Sequence, residues 1–219
     1  MEKTSYKIVY ESGEGEIVEK KSRFIAHVYP IKEEEQALEL IAQCKKEYWD
    51  ARHNCYAYVL GAKQELQRFS DDGEPSGTAG KPILEVLLGE DIHNVLVIVT
   101  RYFGGTLLGT GGLVRAYSQS TKEGLANSVI TERCHGQKLA IKTDYNGLGK
   151  MQYIIAEKDI PVLDTIYADN VEIITLVPEW EYEGFLKELT EATAGKGVWE
   201  ELEEVDYVRI EKQVVIISD

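Results

Sequence analysis

The chain has 219 residues, of which 43% are apolar, and this is enough to bury the core of one or two domains. Its longest apolar stretches, Val95–Val99 and Val214–Ile217, are far shorter than the ~18 residues of a membrane-spanning helix. The first residues also lack the hydrophobic region of a signal peptide. Cys44, Cys55 and Cys134 are odd in number and widely spaced, which excludes a disulfide framework and a paired CxxC zinc site. These features predict a soluble, cytoplasmic protein.

The net charge of −14 repels nucleic acid from most of the surface. The charge is uneven, however. Residues 1–135 carry 16 Lys and Arg against 20 Asp and Glu, a net charge of −4, whereas residues 136–219 carry 8 against 18, a net charge of −10. Any contact with RNA or phosphate would therefore use local basic groups of the first part.

Hydrophobic periodicity predicts the elements of the first part in chain order. The predicted strands are residues 5–10, 16–31, 54–60 and 94–103, and the predicted helices are residues 33–48, 83–88 and 113–127. In the first long helix, Ala37, Ile41, Cys44 and Tyr48 recur at helical spacing, with acidic residues in the first turn and basic residues in the last. The second long helix has an inner face made of Leu113, Tyr117, Ser120 and Gly124. Small residues on this face allow close packing on a sheet.

The second part follows the order strand, helix, strand, strand, helix, strand. The predicted strands are residues 138–143, 161–167, 171–177 and 207–217, and the predicted helices are residues 148–157 and a segment that carries Tyr182, Phe185, Leu186 and Leu189 and ends near Gly195. This order is that of a ferredoxin-like βαββαβ unit. We therefore expect an α+β protein of two domains, residues 1–135 and 136–219.

An acidic stretch between the first two predicted helices places Asp71, Asp72 and Glu74 beside flexible glycines. Such carboxylates could hold a metal ion, a cationic ligand or a partner's Arg side chains. Alternatively, they form a turn whose Asp side chains cap nearby amides and the following helix. We favour the turn, because a hard-metal loop needs ligands at alternate positions and a downstream bidentate Glu. We expect no metal and no cofactor.

A glycine-rich loop joins the predicted strand 94–103 to a helix start, an arrangement that points free backbone amides at an anion. Arg101 and Arg115 add guanidinium groups, while Tyr102 and Phe103 can stack on bases or on a partner's side chains. The glycine spacing fits neither a Walker A loop nor the dinucleotide fingerprint. From the residues alone, a tight crossover with both rings in the core is an equally good interpretation.

His53 and Cys55 lie two residues apart on a predicted strand, so their side chains project to the same face. This spacing allows a Cys/His nucleophile pair or half of a zinc site. We favour a structural role, because strand neighbours rarely give the base a good angle to the thiol. In addition, no second Cys/His pair completes a tetrahedral site, and buried Cys usually behaves as a small hydrophobe.

Three motifs, in this order, resemble the signature of the Impact/YigZ family. They are Asp50-Ala51-x-His53-Asn54-Cys55-x-Ala57, Asp71-Asp72-Gly73-Glu74-Pro75-x-Gly77-Thr78-Ala79-Gly80-x-Pro82, and Val99-Thr100-Arg101-Tyr102-Phe103-Gly104-Gly105 with Leu108-Gly109-x-Gly111-Gly112-Leu113-x-Arg115-Ala116-Tyr117. The resemblance covers residues 1–130, and the following part resembles the small C-terminal domain of bacterial members.

The resemblance implies a first domain like the second domain of ribosomal protein S5, in a tandem similar to domains IV and V of elongation factor G. It also implies a role in translation. Eukaryotic Impact proteins compete for the ribosome-associated activator of the kinase that phosphorylates initiation factor 2 alpha, whereas bacterial members have no settled biochemical activity. The RWD domain that precedes the family domain in eukaryotic Impact is not found here, so the resemblance leaves the kinase-regulating role open.

The leading hypothesis is a non-catalytic, translation-associated binding protein. Its loops 71–80 and 101–115 would form one surface that contacts ribosomal RNA or a ribosome-bound protein. A hydrolase of a small phosphorylated or peptide substrate would instead need the histidine, the cysteine and the three carboxylates to converge. A protein-only adaptor would use the open sheet edges of the second domain for strand addition. The residues assigned to the candidate surface are Arg101, Tyr102, Gly104, Gly105, Gly111, Gly112, Arg115, His53, Asp71, Asp72 and Glu74.

Overall fold

The computed structural model describes residues 5–195, 197–211 and 213–217, which pack as two compact units. The first unit is Tyr6–Thr131, and the second comprises the described residues from Glu132 onwards together with Ser5. Both units combine helices with antiparallel strands. The predicted two-domain α+β architecture is therefore confirmed. In the described part of the chain, no helix is both long and apolar enough to cross a membrane.

The first unit is built on a five-stranded sheet. The strands of this part of the chain are β1 (Ser5–Glu11), β2 (Gly13–Glu19), β3 (Ser22–Pro30), β4 (His53–Leu60), β5 (Leu66–Ser70), β6 (Ile92–His93) and β7 (Val95–Tyr102), and all but β1 and β6 belong to this sheet. The helices are α1 (Glu34–Glu47), α2 (Gly80–Gly89) and α3 (Thr110–Ala126). The sheet has the antiparallel order β2-β3-β7-β4-β5, and β1 pairs in parallel with the short β6. Because β7 is the central strand, the glycine loop that follows it leaves from the middle of the sheet.

Helices cover both faces of this sheet. The apolar stripe of α1 contributes Ala37, Ile41 and Cys44 to the core on one face, as predicted. Helices α2 and α3 cover the other face, and the predicted inner face of α3 is confirmed, because Leu113, Tyr117, Ser120 and Gly124 are all buried. A strand that is covered on both faces needs apolar residues on both, so its sequence is a continuous apolar run, as in β7.

The second unit contains the predicted order of elements. They are β8 (Val129–Thr143), α4 (Leu148–Glu157), β9 (Val162–Tyr167), β10 (Val171–Pro178), α5 (Tyr182–Ala192), β11 (Val198–Ile210) and β12 (Gln213–Ile217). The antiparallel pairs place the strands in the order β9-β10-β8-β11-β12. Apolar residues of α4 and α5, among them Met151 and Phe185, pack on the sheet residues Leu139 and Ile141. The ferredoxin-like βαββαβ order is thus confirmed, with β12 added.

Several predicted strands are wrong in extent because their turns carry no turn signal. The predicted strand 16–31 is the hairpin β2–β3, which turns at Lys20 and Lys21 with φ values of 45° and 67°. Turns of this hand normally use Gly or Asn, so a pair of lysines gave no indication of one. The predicted strand 207–217 likewise covers the end of β11 and all of β12, with Glu211 at φ 55° between them.

Other strands were missed because their residues do not alternate clearly. The mostly exposed β5 was not predicted, and β8 begins at Val129 rather than at residue 138. The first part of β11 carries exposed glutamates, including Glu200 and Glu201, and it lies outside the predicted strand 207–217.

Close packing of β2 on α3 gives a test of the fold. A Cβ atom on Gly15 would stand 2.5 Å from the backbone of Glu123 and of Gly124, so Gly15→Ala should lower the free energy of unfolding by about 1–3 kcal/mol. Gly89→Ala is the control, because no atom lies within 4 Å of its added Cβ, and it should leave stability unchanged or raise it by up to ~1 kcal/mol. Urea unfolding measures both. Equal stabilities for the two variants would contradict this packing.

Candidate functional site

A cavity of about 410 Å³ in the first unit lies where the three sequence motifs meet, since His53 of the first motif also lines it. Glu74 and Pro75 of the acidic turn line it from one side, and Arg101, Phe103 and Gly109 line it from the end of β7 and the glycine loop. The acidic turn and the glycine loop are far apart in sequence. The fold therefore brings both into one place.

The inner wall of this cavity contains a buried ion pair. Arg101 Nη1 donates to Glu74 Oε1 over 2.6 Å, and the two side chains are only 7% and 3% exposed. The Tyr117 hydroxyl donates to the same carboxylate oxygen over 2.8 Å. Burial raises the pKa of Tyr117, so this hydroxyl stays protonated and remains a donor. The guanidinium also stacks over the ring of Phe24 at 5.2 Å.

This pairing corrects one expectation. Arg101 was expected to be an accessible guanidinium at the strand end, but it is only 6% exposed and its charge is neutralised by Glu74. Helix α3 supplies Tyr117, which shares the carboxylate, and β3 supplies Phe24, so both elements help to cover Arg101. Glu74 is likewise buried rather than open to a partner.

The other two carboxylates of the acidic turn also have internal partners. Asp71 accepts hydrogen bonds from the amides of Gly77, Ala79 and Gly80 at 2.8–3.0 Å, and so caps the start of α2. Asp72 accepts from the Asn54 amide at 2.7 Å and pairs with a lysine of α1. The interpretation of this stretch as a capping turn is confirmed for Asp71. Among the described residues, no group of three or more His, Cys, Asp and Glu side chains is placed to hold a metal ion.

His53 and Cys55 contact the backbone of this turn rather than its carboxylates. The Cys55 Sγ lies 3.0 Å from the Asp71 carbonyl oxygen and 3.3 Å from the Tyr117 hydroxyl, and burial raises the pKa of this thiol. His53 Nδ1 lies 2.9 Å from the Asp72 carbonyl oxygen, which can only accept, so this nitrogen carries the proton. Within the described part of the chain, neither side chain has a hydrogen bond to a carboxylate. The convergence that a hydrolase would need is therefore not formed.

The glycine loop and the start of α3 are the open part of the site. Phe103 is 45% exposed and Leu107 is 82% exposed. Helix α3 begins after Gly109, which adopts φ 73°, and no side chain caps it. Its first backbone bond joins the Leu113 amide to the Gly109 carbonyl, so the three preceding amides have no partner within the helix. Of the two interpretations of the rings, Phe103 fits the exposed one.

Exposed cations surround this loop. The Gly104 amide donates to Ser22 Oγ over 3.1 Å, which places the turn formed by Lys20 and Lys21 beside the loop. Arg52 lines the cavity from its rim and is exposed. These three cations were not among the residues predicted for the site. Lys20 and Lys21 were not predicted to lie near the loop, because the turn that they form was not predicted.

Arg115 is exposed but does not share a cavity with Arg101. Its Nη1 lies 3.7 Å from the position that a Cβ atom on Gly111 would take, and with Lys122 it lines a separate groove along α3. Tyr102 is also engaged internally, because its hydroxyl donates to Asp50 over 2.8 Å. The predicted surface is therefore divided between a cavity and a neighbouring groove.

Comparison with known proteins decides the family. Residues 20–125 match the Impact N-terminal domain, and residues 141–196 match a Domain of unknown function (DUF1949). The chain is 43% identical to the IMPACT family member YvyE of Bacillus subtilis (strain 168), over 98% of both chains. This chain belongs to the IMPACT family. The resemblance inferred from the three motifs is thereby confirmed.

Two further comparisons also match most of the length of the chain. The IMPACT family member YigZ of Escherichia coli (strain K12) is 34% identical over 80% of this chain and 87% of that protein. A crystal structure of a hypothetical protein matches with a TM-score of 0.58 and 31% identity, over 91% of this chain and 98% of the other. The likeness to YigZ and to this hypothetical protein therefore extends through both units.

The buried ion pair can be tested by a double-mutant cycle. Glu74→Ala leaves a buried guanidinium without its counter-ion and should lower the free energy of unfolding by about 3–5 kcal/mol. Arg101→Met should have a similar effect. The double variant should lose at least ~1 kcal/mol less than the sum of the single losses, because the two residues interact directly. Urea unfolding measures the three variants, and additive losses would show that the pair is not formed.

The state of Cys55 can be tested by alkylation. All three cysteines are buried, and burial raises the pKa of Cys44 as well as that of Cys55. Iodoacetamide at pH 8 should therefore leave Cys55 unmodified in the folded protein and label it fully in urea. Mass spectrometry of the digested protein reads the result. Rapid labelling of Cys55 under native conditions would show that its thiol is accessible and reactive, as a nucleophilic role requires.

Proposed function

We propose that this chain is a non-catalytic binding protein that acts in translation and contacts ribosomal RNA, or a ribosome-bound factor, through the loop end of the first unit. The loop end is defined as residues 103–112 with Lys20, Lys21, Arg52 and Arg115. Membership of the IMPACT family supports the translational setting, which the motif resemblance implies. The observation that carries the contact with RNA is the uncapped start of α3 surrounded by exposed cations.

The physical basis is the attraction of phosphate to a helix start. The free amides and the helix dipole favour an anion at this end of α3, and nearby Lys and Arg side chains add charge. The described residues form no ion pair with Arg52 or Arg115, so these guanidinium groups are available to phosphate. The half-exposed ring of Phe103 offers a face on which an unpaired base can stack.

A protein-only adaptor is the second candidate, and one observation favours it. Among the described strands of the second unit, β9 pairs with β10 alone and so forms an edge of the sheet. This edge strand exposes Val162, Ile166 and Tyr167. An open apolar edge can accept a strand from a partner. The hydrolase has no comparable support, because the hydrogen bonds of His53 and Cys55 among the described residues do not include one to a carboxylate.

Co-sedimentation with ribosomes tests the proposed function. Binding should weaken steeply as the salt concentration rises, because phosphate contacts release counterions. Arg52→Ala and Arg115→Ala should each cost ~1–3 kcal/mol of binding free energy. Arg68→Ala is the matched control, because Arg68 is an exposed arginine that lies outside the loop end and should leave binding unchanged.

Three outcomes would count against this function. The first is no co-sedimentation at all, and the second is an association that does not depend on salt. The third is an association that survives nuclease and high salt, which would select the adaptor.

A further inference from the structure

The cavity beside the loop end is large enough for more than a single ion. Its volume of about 410 Å³ lies within the range of small-ligand sites. Leu108, Leu113 and Phe103 give it apolar walls, and the ion pair of Arg101 and Glu74 lies at its inner side. A ligand that fits it would therefore have an apolar or flat part as well as a polar part.

The ion pair leaves hydrogen-bonding capacity unused. Arg101 is more than nine-tenths buried, lines the cavity, and has an Nε atom with no hydrogen-bond partner among the described residues. A buried donor without a partner costs free energy, and only a rearrangement that exposed Nε would let a ligand or a water molecule supply its acceptor. Glu74 accepts both of its hydrogen bonds at Oε1. Among the described residues, no hydrogen bond to the other carboxylate oxygen is found.

Groups that attract an anion line the cavity at the start of α3 and at Arg52. The cavity is lined by Gly109 and Thr110 at the uncapped start of α3, a helix of 17 residues. Exposed Arg52 lies on the rim. Because the charges of Arg101 and Glu74 cancel, the helix start and Arg52 leave an excess of positive charge. We therefore expect the anionic part of a ligand to bind at the start of α3, near Arg52.

The remaining groups suit a base rather than an aliphatic tail. Phe103 presents a ring that is 45% exposed, and exposed Leu107 extends the same wall. His53 carries its proton on Nδ1, which leaves Nε2 as an acceptor when the ring is neutral. A base offers both a flat face for stacking and edge groups for such polar partners, whereas an alkyl chain offers neither.

We propose that this cavity binds one nucleotide, with its phosphate at the start of α3 near Arg52 and its base against Phe103. The proposal rests on the proposed function, since it assigns one nucleotide of the contacted RNA to the loop end. The same chemistry is present in a free mononucleotide. The experiment therefore has separate arms for a free nucleotide and for a nucleotide within a strand.

The test is an NMR titration of the full-length, ¹⁵N-labelled chain with AMP, GMP, CMP and UMP. At least one of them should shift the amide signals of Thr110, Gly111 and Gly112 at millimolar concentration. Phe103→Ala should weaken this binding about 5- to 100-fold, as expected for the loss of one stacking ring. Phe69→Ala is the matched control, because Phe69 is 48% exposed, lies in β5 and does not line the cavity. It should bind as the unmodified chain does.

Further arms distinguish the parts of the ligand. Inorganic phosphate alone and adenosine alone should each bind more weakly than the preferred mononucleotide. A single-stranded hexanucleotide that binds more tightly, with the same loss in Phe103→Ala, would identify the nucleotide as part of an RNA strand. A hexanucleotide that binds no better would identify a free nucleotide as the ligand.

The nucleotide site would be overturned if none of the four mononucleotides shifted these amides. It would also be overturned if phosphate alone bound equally well, or if Phe69→Ala and Phe103→Ala weakened binding equally. Co-sedimentation separates the two proposals. Ribosome binding without nucleotide binding would leave the proposed function standing and remove this site, whereas nucleotide binding without ribosome binding would do the reverse.

Discussion

A buried guanidinium bound to a buried carboxylate organises the end of the first unit from which the loops emerge. Removing two such charges from water costs several kcal/mol per ion, which only good geometry can offset. Arg101 and Glu74 meet this condition through a short hydrogen bond, a tyrosine that shares the carboxylate, and a ring beneath the guanidinium. The pair fixes a central strand, a turn and a helix relative to one another. Its main effect is therefore on the geometry of the loops rather than on net stability.

The acidic turn supports the same end of the unit through internal bonds. Three carboxylates within four residues would repel an anion if all faced solvent. Instead, Asp71 accepts hydrogen bonds from the amides at the start of α2. Asp72 accepts one from a strand amide and pairs with a lysine, and Glu74 pairs with Arg101. Because each charge has its own partner, the motif does not act as an acidic patch. It is a scaffold that positions the cavity wall opposite the start of α3.

Local signals account for what the sequence could predict. The inner faces of α1 and α3 follow from apolar spacing, and the capping by Asp71 was predictable because its partners lie within the next nine residues. The hairpin at Lys20 and Lys21 lacks turn residues, and so was read as one strand. Burial of Arg101 could not be predicted, because its partner Glu74 lies 27 residues away in the sequence. Tyr117, which shares the carboxylate, belongs to helix α3. Contacts between segments that are distant in the sequence produce no hydrophobic periodicity from which they could be predicted.

The same unpredicted hairpin bears on how an acidic chain can present a cationic surface. Lys20 and Lys21 both adopt the left-handed conformation, which costs about 1–2 kcal/mol for each residue other than glycine. Strain of this kind tends to persist where position matters, and here it places two exposed lysines beside the glycine loop. At physiological salt, charges separated by more than about 8 Å are largely screened. A phosphate at the loop end would therefore respond to these lysines and to the helix start more than to any acidic residue that lies beyond this distance.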